Sequence, residues 1–463
     1  MGSAKRVVIV GGGPGGYEAA LVAAQLGAEV SVVDRDGLGG SCVLTDCVPS
    51  KTLIATAEVM TLAAESGELG VVAGEGGGAV HADLKRVNGR VKTLAHAQSD
   101  DIRARLEREG VRVLPGVGRL EGASRVVAEL HAGGTETLAA DAVLVSTGAR
   151  PRTLPDARPD GERILTWTQL YDLNELPERL VVVGSGVTGA EFASAYNALG
   201  SDVTLVSSRE RVLPGEDADA AEVLEQVFTR RGMTVLSRSR AATVDRVDGG
   251  VVVRLDAGRS IEGTHCLVAV GSIPNTTDLG LESAGVELDD RGFISVDRVS
   301  RTSAPGVYAA GDCTGVLMLA SVAAMQGRIA MWHLLGDAVR PLELRTVSSN
   351  VFTDPEIATV GFTQSDLDQG RIDGTVVKLP LATNARAKML GFRDGFVKLI
   401  CRPGSGSVLG GVVVAPRGSE LIHPIAIACE QRLTVDQLAN TFTVYPSLSG
   451  SLAEAARQLH QRA

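Results

Sequence analysis

Residues 6–10, RVVIV, are an apolar run of the length and composition of a strand buried on both faces. The alanine-rich YEAALVAAQLG after the following glycines has helical composition, and EVSVVD beyond it reads as a second strand. The segment is a βαβ unit. The same order recurs in RLVVVGSGVTGAEFASAYNALGSDVTLVSS, residues 179–208. Two widely separated units of one supersecondary kind imply two nucleotide-binding domains rather than a short-period solenoid.

GELGVVAGEGGGAV, residues 67–80, reads as a glycine-rich loop, and DLKRVNGRVKTLAHAQSDDIRARLEREG after it as a long polar helix with apolar spacing. From about residue 345 the pattern changes to short β-rich runs, NVFTDPEIATVGF, GFVKLICR and GSVLGGVVVAP, followed by the helical SELIHPIAIACEQR. That stretch forms a third, α+β domain. The expected fold is therefore α/β: two Rossmann-like dinucleotide-binding domains and a C-terminal α+β domain.

Length and composition narrow the function. At 463 residues the chain accommodates two to four domains, and 44% hydrophobic with 22% charged residues is the balance of a folded globular protein. A net charge of −10 without a Lys/Arg block gives no electrostatic footprint for nucleic acid or an anionic membrane. MGSAKRVVIVGGGPGG runs straight into a short apolar segment, and no apolar stretch reaches transmembrane length. The expectation is a cytoplasmic protein without an integral membrane segment.

Gly11, Gly13 and Gly16 form G-x-G-x-x-G between strand and helix. The first glycine permits the tight turn, the second lets a pyrophosphate approach, and the third allows helix and strand to pack. Asp34 closes the second strand, where its carboxylate can accept hydrogen bonds from ribose hydroxyls. Gly184, Gly186 and Gly189 repeat the motif, but that unit's second strand ends at Ser207, without the carboxylate. Arg209 or Arg211 can receive a 2′-phosphate there, or form a solvated face. Two dinucleotide sites in one chain imply two carriers, with hydride passing from nicotinamide to flavin.

Six cysteines in so long a chain are no disulfide framework, and Cys266, Cys313, Cys401 and Cys429 lack zinc spacing. Cys42 and Cys47, in GGSCVLTDCVPSK, stand apart. Residues five apart on a regular helix diverge, so pairing needs a distorted turn, with Cys42 before a helix start and Cys47 ahead of Pro49. A helix N-terminus and Lys51 favour a thiolate there.

With these residues the whole chain resembles the flavoprotein disulfide reductases, most closely their lipoamide-dehydrogenase-like branch. GGSCVLTDCVPSK matches the redox-disulfide motif, STGARP and GVYAAGDCTG the FAD signatures, and VGSIPNT and VFTDPEIATVG later landmarks. The resemblance implies FAD in the first site and NAD(P)H in the second. It implies that Cys47 faces the flavin, Cys42 is the interchange thiol, Asp312 holds the ribityl chain, and Lys51 and Glu191 pair beside the flavin N5. It adds Ser41, Gly118, Thr147, Gly148, Gly271 and Ala320 to the cofactor-binding residues. The corresponding domains are FAD-binding over 1–150, NAD(P)-binding over 151–275, a returning FAD/central part over 276–344, and dimerisation over 345–463.

The resemblance breaks near the C-terminus. These reductases carry a H-x-H-P-T-x-S-E-like segment whose second histidine is the acid/base and whose glutamate orients it; here the stretch is TVYPSLSG, with Tyr445 and Gly450 at those places. A phenol with an ordinary pKa near 10 cannot replace an imidazole near 6.5 as a proton shuttle at neutral pH. None of His81, His96, His131, His265, His333, His423 and His460 is an evident substitute, although His423 in ELIHPIAIA lies in the same domain.

Quinones suit such a chain, because the quinone oxygens can take protons from solvent or Tyr445. The Tyr-Pro-Ser ending resembles actinobacterial NAD(P)H:quinone reductases. Some of those lack one cysteine of the pair, whereas this chain retains both. The expectation is a homodimeric NAD(P)H:quinone oxidoreductase with FAD, Tyr445 reaching the partner's flavin. The alternatives are dihydrolipoamide dehydrogenase or another dithiol/disulfide oxidoreductase using Cys42 and Cys47, and a retired reductase kept as a binding subunit.

Overall fold

The computed structural model describes residues 4–71, 80–256 and 258–460. The chain divides into two compact units, one of residues 1–52, 88–152 and 272–343, the other of residues 53–87, 153–271 and 344–463. Most of the glycine-rich loop expected over 67–80 lies outside the described residues, while Ser66–Leu69 forms a 3-10 turn.

The first unit is built on a seven-stranded sheet. Its order is Val307–Ala309, Ala142–Val145, Arg6–Val10, Glu29–Asp34, Arg112–Leu120, Arg125–Leu130 and Thr135–Ala139. The first five strands are parallel and the last two join as antiparallel hairpins. Alternation in RVVIV divides the core: Val7 and Ile9 pack on one face with the Pro14–Gln25 helix, Val8 and Val10 on the other with Leu120, Val126 and Ile294. Burial on both faces is why the strand reads as a continuous apolar run.

The second unit carries a five-stranded parallel sheet ordered Thr234–Leu236, Asp202–Val206, Arg179–Val183, His265–Val268 and Ile164–Leu165. Residues 344–463 supply an antiparallel five-stranded sheet, ordered Ser349–Val351, Glu356–Gly361, Val408–Ala415, Phe396–Cys401 and Thr375–Pro380. The Gly450–His460 helix packs on it through Leu452, Ala455, Ala456 and Leu459.

A buried ion pair ties the nucleotide-binding part of this unit to the antiparallel sheet. Asp217 caps the Ala218–Arg230 helix by accepting from the amides of Asp219 and Ala220 at 3.0 and 3.3 Å. The same carboxylate accepts from Lys398 Nζ at 2.9 and 2.7 Å. Lys398 is 2% exposed and also reaches Asp219 at 2.6 Å, which in turn meets Lys378 at 2.9 Å. Two lysines therefore neutralise two aspartates, as burial of charge requires.

Lys398→Met strands the buried Asp217 carboxylate and is expected to cost about 3–5 kcal/mol, read from the urea midpoint. Adding Asp217→Asn, which keeps the cap without the charge, should recover part of that loss. A cost below about 1 kcal/mol for Lys398→Met contradicts the assignment.

Candidate functional site

Both glycine motifs are explained by the same close approach. A Cβ on Gly11, whose φ is +101°, would lie 2.2 Å from the Ser146 carbonyl oxygen, and one on Gly16 would lie 1.9 Å from the Gly11 carbonyl oxygen. In the second unit the distances are 2.1 Å from Gly184 to the Ala269 oxygen and 1.8 Å from Gly189 to the Gly184 oxygen. The middle glycines, Gly13 and Gly186, have nothing within 4 Å of such a Cβ, and each is the residue from which a helix starts. Open space at a helix N-terminus with free-standing amides is what a pyrophosphate requires.

Asp34 does more than its position implies. Its Oδ2 accepts from the Gly12 amide at 2.6 Å, and its Oδ1 from the amides of Gly37 at 2.6 Å and Asp36 at 3.1 Å. The carboxylate thus braces the turn while keeping lone pairs for a ribose. Burial raises its pKa against the pull of those amides.

Ser207 has a different task from the one its place at the strand end suggests. It is 0% exposed, and its hydroxyl lies 2.7 Å from Ser185 Oγ, inside the glycine motif. The Leu213 amide donates to the Ser185 carbonyl at 2.9 Å, so the loop after the strand is pinned back onto the turn. The hydroxyl braces this loop rather than facing outward towards a ribose. Arg209 lies in that loop and is exposed. The signal for Ser185, a polar residue between two motif glycines, is too common to be read from sequence alone.

The cysteine pair sits where two helices meet. Cys42 lies inside the short Gly40–Leu44 helix, preceded by Gly39 at φ +91°, and Cys47 is the first residue of the Cys47–Glu65 helix. Cys42 precedes the start of the Cys47–Glu65 helix, as expected, and itself lies in a short helical turn that glycines at positive φ let form before the break at Thr45 and Asp46. That break supplies the distorted turn that five-residue spacing demands. Both cysteines are thiols here, half-buried, with a hydrogen bond between them. This bond holds Cys42 below the ordinary thiol range, against burial, and pushes Cys47 up, burial adding to the rise. Lys51, one turn into the helix, favours the thiolate of either.

Carboxylates crowd the same site. Asp312 begins a 3-10 turn after Gly311 at φ +84°, and burial raises its pKa to about 6, with Asp46 adding to the shift. A carboxyl near 6 is partly protonated at neutral pH and can donate as well as accept. Ser41 is exposed on the Gly40–Leu44 helix, and its carbonyl accepts from the amides of Thr45 and Asp46 at 2.9 and 2.8 Å.

Packing and backbone conformation place the remaining cofactor-binding candidates. Thr147 and Gly148 lace to the later segment: Thr147 Oγ1 donates to the Asn275 carbonyl at 2.7 Å, and the Asn275 amide to the Gly148 carbonyl at 3.0 Å. Gly148 and Gly271 adopt φ +67° and +96°, with open space at the Cβ position. Ala320 starts the Ala320–Leu335 helix, which crosses the Pro14–Gln25 helix so closely that a Cβ on Gly327 would lie 2.1 Å from the Gly15 carbonyl oxygen. Gly118 is buried in its strand, where a Cβ would meet Val10 and Val33 at 3.1 and 3.3 Å, so packing accounts for this glycine. In the first unit the phosphate turn at Gly11–Gly16, the ribose-level carboxylate of Asp34 and Asp312 fit a dinucleotide carrying a flavin.

In the second unit Glu191 is 3% exposed on the Val187–Leu199 helix, its Oε1 accepting from the Phe352 amide at 2.8 Å. Tyr445 is 84% exposed, in a segment that also presents Phe442 and Val444 to solvent. Gly450 opens the Gly450–His460 helix, its amide donating to Ser447 Oγ at 3.2 Å, so serine chemistry holds the turn where a glutamate was sought. His423 is exposed at the start of the His423–Gln431 helix.

Residues 5–327 match the sequence profile of the pyridine nucleotide-disulphide oxidoreductases, and residues 347–456 that of their dimerisation domain. NAD(P)H dehydrogenase (quinone) of Mycobacterium tuberculosis is 56% identical over 470 residues, covering 98% of this chain and 94% of the relative. A dihydrolipoyl dehydrogenase of Chlorobaculum tepidum is 36% identical over 454 residues, covering 97% and 96%. The crystal structure of LpdA from Mycobacterium tuberculosis superposes with a TM-score of 0.94 at 55% identity, covering 98% of this chain and 99% of that one. The chain belongs to the pyridine nucleotide-disulphide oxidoreductases, α/β flavoenzymes that use FAD and NAD(P)H, and carries their C-terminal dimerisation domain.

Proposed function

We propose that this chain is an NAD(P)H:quinone oxidoreductase, acting as a homodimer in the cytoplasm, with a small quinone as electron acceptor. The observation that carries this reading is the replacement of the histidine–glutamate dyad by an exposed Tyr445 and by Gly450. The full-length similarity to a quinone-named relative supports it. Among the described residues no helix is long and apolar enough to cross a membrane.

Bound FAD supplies a two-electron relay between nicotinamide and acceptor. The chain's own residues bind and orient. The turns at Gly11–Gly16 and Gly184–Gly189 hold the pyrophosphates on helix N-termini, Asp34 meets the ribose, and Asp312 anchors the ribityl chain. Lys51 places a positive charge where reduction adds negative charge, which favours the reduced state. Glu191 is carried over from the family as a catalytic residue. Tyr445 can donate its phenol proton to a quinone oxygen, and the phenolate so formed is reprotonated by solvent.

Cys42 and Cys47 keep the dithiol/disulfide reading alive, because a hydrogen-bonded pair can close to a disulfide. The family's histidine and glutamate, which would carry their protons, are replaced here by Tyr445 and Gly450. Steady-state turnover with NADPH should therefore be brisk with a naphthoquinone and lower by about 10²–10⁴-fold with lipoamide. Quinone reduction should persist in Cys42→Ser, whereas Tyr445→His with Gly450→Glu should raise lipoamide turnover. Brisk wild-type lipoamide reduction abolished by Cys42→Ser would install the disulfide reductase instead.

Coenzyme choice follows from the loop after Val206. Ser207 brings no carboxylate, and Arg209 adds a cation for a 2′-phosphate. Arg209→Ala should move the ratio of kcat/KM for NADPH over NADH towards NADH by about tenfold. An unchanged ratio removes Arg209 from the site.

A further inference from the structure

We propose that Arg238 is a second specificity-determining residue for NADPH, forming with Arg209 a two-arginine clamp on the 2′-phosphate, and that the Glu210 carboxylate competes with that phosphate for Arg238. The proposal rests on the NADPH reading above and extends it to a residue from another strand.

The placement follows from the sheet. The strands Asp202–Val206 and Thr234–Leu236 are parallel neighbours in register, Val206 opposite Leu236, and so end together at the edge where such sheets bind ligands. Beyond that edge the two loops are laced. The Ser207 amide donates to the Leu236 carbonyl at 2.9 Å, the Ser239 amide to the Ser207 carbonyl at 2.7 Å, and the Arg238 amide to the Arg209 carbonyl at 2.8 Å. Arg238 therefore stands level with Arg209 at the mouth of the second nucleotide site. Its φ of +52° is a left-handed conformation that side chains other than glycine disfavour. Strain of this kind persists where the surroundings enforce it, and it concentrates at ligand clamps.

The charges at the edge have the right sign. Ser207 is turned onto Ser185 and brings no negative group. The Arg238 guanidinium pairs with the Glu210 carboxylate, the two side chains being 75% and 68% exposed. An ion pair so exposed holds weakly, so its carboxylate is readily exchanged. A phosphate dianion has more charge and more acceptor oxygens, and a guanidinium fork binds it bidentately. Glu225 accepts from the Val212 amide at 2.6 Å and Asp217 is held by Lys398, Arg211 and Arg240 add positive charge in the same two loops, and the exposed Asp256, whose amide donates to the Arg240 carbonyl at 3.0 Å, lies beyond them.

The test uses the FAD-loaded enzyme and compares Arg238→Ala, Glu210→Gln and Arg209→Ala with wild type. The readouts are KM and kcat for NADPH and NADH with one naphthoquinone, and inhibition by 2′-AMP against 5′-AMP. In Arg238→Ala the NADPH-over-NADH ratio of kcat/KM should fall about 10–100-fold, through KM, with weaker 2′-AMP inhibition. Glu210→Gln should tighten 2′-AMP and lower the NADPH KM several-fold. The proposal is overturned if Arg238→Ala leaves the ratio unchanged while Arg209→Ala shifts it, or if both KM values rise together, which marks a structural role. Wild-type enzyme that favours neither NADPH over NADH nor 2′-AMP over 5′-AMP overturns the clamp and the NADPH reading alike.

Discussion

Two backbone contacts organise this protein. In each nucleotide-binding turn the carbonyl oxygen of the first glycine occupies the place where the last glycine would carry its Cβ, 1.9 Å away in one and 1.8 Å in the other. No other residue tolerates that approach, and it is what drops each helix N-terminus onto the end of its strand. From that placement follow the orientation of the amides, the position of Asp34 and of the loop after Val206, and the space left beside Gly13 and Gly186. The geometry appears twice within one chain, and a second dinucleotide site makes the chain a relay rather than a single-coenzyme binder.

In the proposed relay the thiols are arranged but poorly served. Cys42 and Cys47 share a hydrogen bond across a break between helices, with Lys51 assisting ionisation, the Asp46 carboxylate opposing it in both and Asp312 opposing it in Cys42. What disulfide exchange additionally needs is a group that gives and takes protons near neutral pH, and Tyr445 is a phenol on an exposed segment. A quinone relaxes that requirement, because its oxygens exchange protons with solvent. On the proposed reading, the chemistry left to the chain is set by the missing histidine more than by the retained pair.

Much of this was legible in the sequence because it rests on local pattern. RVVIV and its counterpart RLVVV are apolar on both faces, and the glycines are fixed by steric contact at defined spacing. The family resemblance extends over both units. What was not legible depends on side chains meeting across the fold. Nothing near Lys398 in GFVKLICR announces Asp217, which lies in another domain-sized segment. Ser207 looked like an open ribose position, yet its hydroxyl turns inward because Ser185 offers it a partner. Arg238 lies a helix and a strand away from Arg209 and meets it only through sheet register. Cys42 lies ahead of a helix as expected, and the positive φ of Gly39 and Gly40 adds a short helical turn there.

The central claim is that electrons leave for a quinone without passing through thiol chemistry that requires a base. The most direct measurement is a rapid-mixing experiment in which enzyme reduced anaerobically with one equivalent of NADPH meets either a naphthoquinone or lipoamide at neutral pH, with flavin absorbance as the signal. The account predicts complete reoxidation by the quinone, with lipoamide slower by about 10²–10⁴-fold. Comparable reoxidation rates for the two acceptors would contradict it.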